Sequence, residues 1–352
     1  MRMSRKSWII VGGVIAAIVI VAVAVVTMTA PPKAITIKWG SSKEGTAGYV
    51  SLYAIADVVR KYAPEIMIEA TPTAGSIASQ RMVASGDLDA GYSGVWNMKD
   101  MYLNRGPYEG NPWPAGKPKL LHTLYYGPTY HIVVTRADRT DIKCLKDLKG
   151  KKLFIPIPGS SVFEVPKAVL KLVGVWDEKM WVDMPTDAVP DALKIGTIDA
   201  VFGYVASGPA LPGWMKELEA RIDIKVVPPS PDEIKILEEK ASEAGFSLIW
   251  LDTSKAFTKP VGVEKVLCPS DMYGFNAPIT VPEEVIYKIV KIVLEHTDEL
   301  VKYAPYFKEL QADPIGIQVK AINAAPEIPV HPGLAKYLKE KGAWNPNWKV
   351  AS

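Results

Sequence analysis

Cysteine is nearly absent. The 352-residue chain has two, Cys144 and Cys268, far apart and outside any metal-type spacing. That excludes a framework of several disulfides and a cysteine zinc cluster. The pair reads as two buried thiols, with one bridge as the alternative in an oxidising compartment. Histidine is also scarce: His122, His131, His296 and His331 are scattered, and each reads as structural. Net charge is small, with 41 basic residues against 38 acidic ones. Setting aside Arg2, Arg5 and Lys6, the two signs are equal in number. The body shows no long basic run, which weighs against nucleic-acid binding. Catalytic signatures are missing too. Gly40 and Gly45 have phosphate-loop spacing, but Thr46 stands where the lysine is required. Gly91-Tyr92-Ser93-Gly94 brings its second glycine one residue too early for a nucleophile elbow. The carboxylates form no convincing acid/base pair. A non-enzyme without metal or cofactor is therefore expected.

The first thirty residues contain no acid. After Arg2, Arg5 and Lys6, the stretch Trp8 to Met28 is uncharged and almost wholly apolar. It matches the ~20 residues of a bilayer-spanning helix. The basic tip predicts that the body lies outside the cytoplasm. Residues 8–28 read as an uncleaved anchor on the outer face of the cytoplasmic membrane. The alternative is a signal peptide cut near Thr29-Ala30, leaving a secreted or periplasmic body. Ala30-Pro31-Pro32-Lys33 then forms a stiff spacer.

What the chain does have is 48% hydrophobic residues, enough for one or two cores, and one phrase written twice. Ala84-Ser85-Gly86-Asp87-Leu88-Asp89-Ala90-Gly91-Tyr92 reads helix end, glycine stop, turn, strand. Ile195-Gly196-Thr197-Ile198-Asp199-Ala200-Val201-Phe202-Gly203-Tyr204 reads the same way. Glycine stands where a helix must stop because it enters the left-handed conformation cheaply. Two matching α/β units predict two lobes with a cleft between them. Alternating strands and helices predict a mainly parallel sheet covered by helices. Lys265 to Asn276 reads as a return strand, and Pro282 to Tyr303 as one amphipathic helix with Val285, Ile289, Ile292 and His296 on one face.

Three Gly/Ser/Thr loops each follow a strand and open a helix: Gly40 to Thr46, Gly75-Ser76 and Gly159 to Ser161. Helix N-termini present unpaired N–H groups and a partial positive charge, which suits carboxylate or phosphate. Ser42, Ser76 and Ser160 would also serve as ordinary N-caps. Of the aromatics near strand ends, Tyr92, Trp96, Tyr125, Tyr126 and Tyr204, some would wall a ligand in a cleft.

The body, from about Ile35 to about Tyr337, resembles the TAXI family, solute receptors of tripartite ATP-independent periplasmic (TRAP) transporters. The resemblance rests on the order of Gly40 to Tyr49, Thr73 to Ser76, Ala84 to Asp89, Tyr130 to Val134, Asp147 to Lys151, Pro158 to Ser161, Ile195 to Ala200 and Ile328 to Gly333. It implies an α/β, two-lobed periplasmic-binding-protein-like fold of the type II, Venus-flytrap kind, behind the signal or anchor helix (1–30). Residues 34–134 and 262–352 would form one lobe and 135–261 the other. The implied function is to bind a small carboxylate, glutamate-like or a dicarboxylate, and deliver it to an ion-gradient-driven permease subunit. By position, Ser41, Ser42, Gly45, Thr46, Tyr49, Gly75, Ser76, Ser160, Ser161 and Tyr204 would contact it. Ser93, Trp96 and Tyr126, beside strand ends, complete the candidate set. The chain departs from the family where Ser41-Ser42-Lys43-Glu44 interrupts the first loop; an inward Lys43 would favour a second negative charge on the ligand. The alternatives are a ligand sensor, and a secreted enzyme whose general base would be Asp89, Asp199 or Glu164.

Overall fold

The computed structural model describes residues 34–156 and 158–352. The expected anchor or signal segment lies outside them. Among the described residues no helix is long and apolar enough to cross a membrane.

Three strand–helix units open the body: β1 (Ile35–Gly40) with α1 (Ala47–Tyr62), β2 (Ile66–Thr71) with α2 (Ser76–Ser85), and β3 (Gly91–Gly94) with α3 (Val95–Leu103). The long strand β4 (Leu124–Arg136) follows. Then come β5 (Leu153–Phe154), α4 (Ser161–Leu172), α5 (Val189–Ile195), β6 (Ala200–Val205), α6 (Gly213–Arg221), β7 (Ile224–Val227), α7 (Pro231–Ala244) and β8 (Ser247–Asp252). The second long strand, β9 (Lys265–Asn276), precedes α8 (Glu283–Glu295), α9 (Thr297–Tyr303), α10 (Lys308–Ala312), α11 (Pro314–Ala324) and α12 (Pro332–Glu340).

The two copies of the repeated phrase fold alike. Gly86 and Gly196 end α2 and α5 in the left-handed conformation, at φ 92° and 82°. The aspartate that follows ties each turn to an earlier strand. Asp89 accepts the Lys38 N–H at 2.8 Å, and Lys38 O accepts the Asp89 N–H at 2.9 Å. Asp199 accepts the Lys152 N–H at 2.8 Å, and Lys152 O accepts the Asp199 N–H at 2.7 Å.

The sheet is not mainly parallel. β1 and β2 pair in parallel, and Trp39 bridges in parallel to Ala90. In the larger sheet, ordered β3-β9-β4-β6-β5 with β7 on β4 and β8 on β9, only β5 and β6 are parallel. The reason is connectivity. The two long strands β4 and β9 run antiparallel at the centre, and shorter strands pair onto them.

The buried side chains form separate cores. Tyr125 and Tyr126 of β4, with Met272, Tyr273 and Phe275 of β9, belong to the core that includes α1 and α8. Tyr130, Ile132, Val133 and Val134, with Val266 and Cys268, belong to the cores built on α4, α5 and β6. The result is a two-lobed, periplasmic-binding-protein-like mixed α/β fold.

The amphipathic stretch Pro282 to Tyr303 is two helices rather than one. His296 leaves the helical conformation (φ −123°, ψ 35°), and its ring stacks on Tyr62 of α1 at 3.7 Å and 10°. Val285 and Ile289 face the core as expected, Ile292 is partly buried, and His296 serves as the corner. Both thiols are free, Cys268 buried and Cys144 half-buried.

Candidate functional site

The site starts at three helix beginnings. After β1 the chain turns through Ser41 and Ser42. Ser41 Oγ donates to Thr71 O at 3.1 Å, and Thr73 Oγ1 donates to Ser41 O at 2.5 Å, which pins the loop to the next strand. Thr46 caps α1. Its hydroxyl donates to Lys43 O at 2.6 Å and pairs with the Ser42 hydroxyl. Gly75 precedes α2 at φ 143°, a conformation that favours glycine, and Ser76 Oγ donates to Asn97 Oδ1 at 2.7 Å. Ser160 precedes α4 with extended backbone. The first amides of each helix have no acceptor within it.

These starts face one cavity of about 520 Å³. Ser42, Lys43, Thr46, Ala47 and Gly48 line it from α1, Ala74, Gly75 and Ser76 from α2, and Ser160 and Val162 from α4. The strands complete it with Tyr92, Tyr126, Thr129 and Tyr273, together with Tyr204 and Ala206. Tyr92 and Tyr273 stack at 5.2 Å and 25°, and the hydroxyls of Tyr92 and Tyr126 lie 3.2 Å apart. The Tyr273 hydroxyl pairs with that of Ser161. Burial drives the phenol pKa values upward, that of Tyr204 to about 12, so these rings stay neutral near pH 7. Among the described residues of the lining, Lys43 alone is charged, and it is exposed.

The cavity brings together Ser42, Thr46, Gly75, Ser76, Tyr126, Ser160 and Tyr204 from the expected set. The other expected residues lie outside its lining. Ser41 is buried in the loop anchor described above, and Gly45 only turns the loop, at φ 79°. Tyr49 packs on Tyr53 at 4.6 Å, on the exposed side of α1. Ser93 is buried, donating to Gly94 O and accepting from Gln80 Nε2. Trp96 stacks on Phe246 at 6.1 Å. Ser161 holds Tyr273 from behind. Tyr125 is buried beside His122, its hydroxyl 2.6 Å from Nδ1. Asp89 and Asp199 are bound to backbone as described, Asp199 also pairs with Arg139 at 2.8 Å, and Glu164 does not line the cavity.

Tyr273, Thr129 and Val162 enter the lining without having been singled out. Tyr273 had one usable signal: it is a tyrosine near the end of the return strand, as Tyr92 and Tyr204 are near the ends of theirs.

Two buried groups stand apart. Asp271 lies behind Tyr273, its Oδ1 accepting the Trp96 N–H at 3.0 Å while Oδ2 has no hydrogen-bond partner. Burial raises its pKa to about 7, more than the Trp96 N–H lowers it. His131 is buried with neither ring nitrogen bonded, and burial lowers its pKa to about 3. No group of His, Cys, Asp and Glu among the described residues could hold a metal ion.

The model of the family described as NMT1-like matches residues 40–342. The chain belongs to the NMT1-like family. Among solved structures it is similar to the periplasmic aliphatic sulphonate binding protein SsuA from Escherichia coli, at 14% identity, covering 88% of this chain and 84% of that one, with a TM-score of 0.43. It is also similar to a putative sulfonate ABC transporter periplasmic sulfonate-binding protein SsuA from Methylobacillus flagellatus KT, at 16% identity, covering 91% and 98%, TM-score 0.47. A third is the probable amino-acid ABC transporter extracellular-binding protein ytmK from Bacillus subtilis, at 14% identity, covering 78% and 98%, TM-score 0.45. This NMT1-like chain presents a two-lobed fold with a cavity lined from the starts of α1, α2 and α4.

Proposed function

We propose that this protein is an extracytoplasmic solute receptor that holds a small anion, a carboxylate by preference, between its lobes and delivers it to a membrane permease. The observation that carries the reading is the convergence of three helix N-termini, two from one lobe and one from the other, on a single cavity. Each offers backbone N–H groups and the positive end of a helix dipole. A ligand touching all three bridges both lobes and stabilises the arrangement in which they are together. The described lining carries no Asp, Glu, His or Cys, so binding suits it better than proton-transfer or nucleophilic chemistry. The resemblance to TAXI receptors favours an ion-gradient-driven TRAP permease as partner, with residues 8–28 as tether.

Thermal-shift titration with carboxylates, phosphates, sugars and amines tests the reading. A bound anion at a hundred times its dissociation constant adds about 2.7 kcal/mol of stability. Stabilisation by sugars or amines alone overturns it. Co-purification with a permease encoded nearby tests the partner, and a neighbouring kinase gene would favour sensing instead.

A further inference from the structure

The charge inventory of the cavity narrows the ligand. We infer that the solute carries a single anionic group on an uncharged, largely apolar body, and no ammonium group; this rests on the receptor reading above. It departs from the sequence-based expectation of a glutamate-like amino acid or a dicarboxylate.

An α-amino group is the first thing the site cannot hold. A buried ammonium needs a carboxylate partner or several strong acceptors. No aspartate or glutamate is among the described lining residues, and the three helix N-termini add a positive field that opposes a cation. A second carboxylate fares little better. The lining holds no arginine, and Lys43 is an exposed loop residue. One anionic group satisfies the converging amides and the hydroxyls beside them.

The remaining lining sets the body of the ligand. Tyr92, Tyr126, Tyr204 and Tyr273 supply aromatic surface, with Val162 and Ala206 beside them. The Tyr92 and Tyr126 hydroxyls face each other, and that of Tyr273 is taken by Ser161. The wall therefore offers ring surface more than free donors. Tyr92 stacks with Tyr273, and both Tyr92 and Tyr126 pack on Phe275, at 5.6 and 5.8 Å. Rings packed on one another form a wall, whereas an aromatic cage for a quaternary ammonium sets ring faces around an open centre. A cavity of about 520 Å³ leaves room for a ring or a branched chain as well as the anion.

The test is calorimetric titration of the full-length chain in detergent with a matched series. 3-Phenylpropanoate presents the inferred chemistry. L-Phenylalanine adds the ammonium, glutarate replaces the ring with a second carboxylate, and 3-phenylpropanamide removes the charge. A phenylpropyl trimethylammonium ion reverses the charge. The expected result is that 3-phenylpropanoate binds and each of the others is at least about tenfold weaker. Ala74→Trp, at an exposed lining position, locates the event: it should weaken 3-phenylpropanoate by at least about tenfold while leaving the ligand-free melting temperature unchanged. Tighter binding of glutarate or phenylalanine, still lost in Ala74→Trp, overturns this inference and leaves the receptor reading standing. Tightest binding of the trimethylammonium probe overturns the inference. Binding of no probe, or binding indifferent to Ala74→Trp, overturns both.

Discussion

Gly48 has no space for a methyl group. A Cβ there would sit 2.5 Å from Tyr92 Cζ and 2.6 Å from Ser42 Oγ. The missing side chain lets the start of α1 press against the tyrosine wall. Gly48→Ala is expected to cost about 1–3 kcal/mol by overpacking, and to weaken ligand binding by displacing Tyr92 or Ser42. Denaturant melts alongside ligand titration check both effects. Asp271 makes the second residue-level prediction. Its carboxyl titrates at about 7 in the folded chain, against an ordinary 3.8. Between those values the native state holds a proton that the unfolded chain has released. Stability from this group is therefore present at low pH and lost as pH rises from about 4 through about 7. Asp271→Asn keeps the shape and cannot ionise. Its melting temperature should match wild type below about pH 4 and exceed it increasingly up to pH 8. A wild-type advantage at pH 8 would mean that the ionised carboxylate is stabilised by its neighbours.

At the scale of elements, the C-terminus of α7 seats on α3 and on Arg105 just beyond it. The last carbonyls of α7 lack intrahelical donors, and Lys99 and Arg105 supply them. Lys99 Nζ donates to Ser242 O at 2.7 Å, and Arg105 donates to Ala244 O at 2.7 Å and Glu243 O at 3.4 Å. The cations also complement the negative end of the helix dipole. Arg105 in addition pairs with the buried Asp100 at 2.7 Å. Arg105→Ala removes a helix cap and orphans that carboxylate, for an expected loss of about 2–4 kcal/mol, with Arg105→Lys intermediate; urea denaturation measures it. The repeated turns are simpler elements. Gly196→Ala should cost about 1 kcal/mol because its φ of 82° is left-handed. No atom crowds its Cβ position, so the effect is one of conformation rather than packing.

For the molecule as a whole, we propose that the two long antiparallel strands β4 and β9 connect the lobes. The β4–β9 register shifts between Tyr125 and Gly127, and Gly127 has φ 154° with a Cβ position 2.0 Å from Ser207 Oγ. This irregularity lies where the cores separate. We propose it as a flexing point between the lobes. Glu309 of α10 spans the junction, accepting from Ser207 Oγ and Gly208 N at 2.9 Å each and from the Tyr130 hydroxyl. A bound anion should lower the radius of gyration in small-angle scattering, and Glu309→Gln should raise it in the ligand-free protein. An unchanged radius under saturating ligand would refute lobe closure.

The helix stops at Gly86 and Gly196, the serine- and threonine-led helix starts, and the limits of β9 were readable from the chain because each depends on neighbouring residues. Glycine's left-handed freedom and a hydroxyl cap such as that of Thr46 act within a few positions. The same local logic named Ser42, Thr46, Gly75, Ser76 and Ser160, which line the cavity. It did not find Tyr273, Thr129 or Val162, which acquire meaning only when β9, β4 and α4 meet across more than a hundred residues of sequence. Nor could it separate Ser160, which lines the cavity, from Ser161, which holds Tyr273, because adjacent residues at a helix start point in different directions. Sheet direction, the corner at His296 and the lack of a carboxylate among the described lining residues were likewise decided by tertiary structure. Strand pairing follows where the chain crosses between lobes, and a cavity's charge is the sum over side chains that the fold brings together.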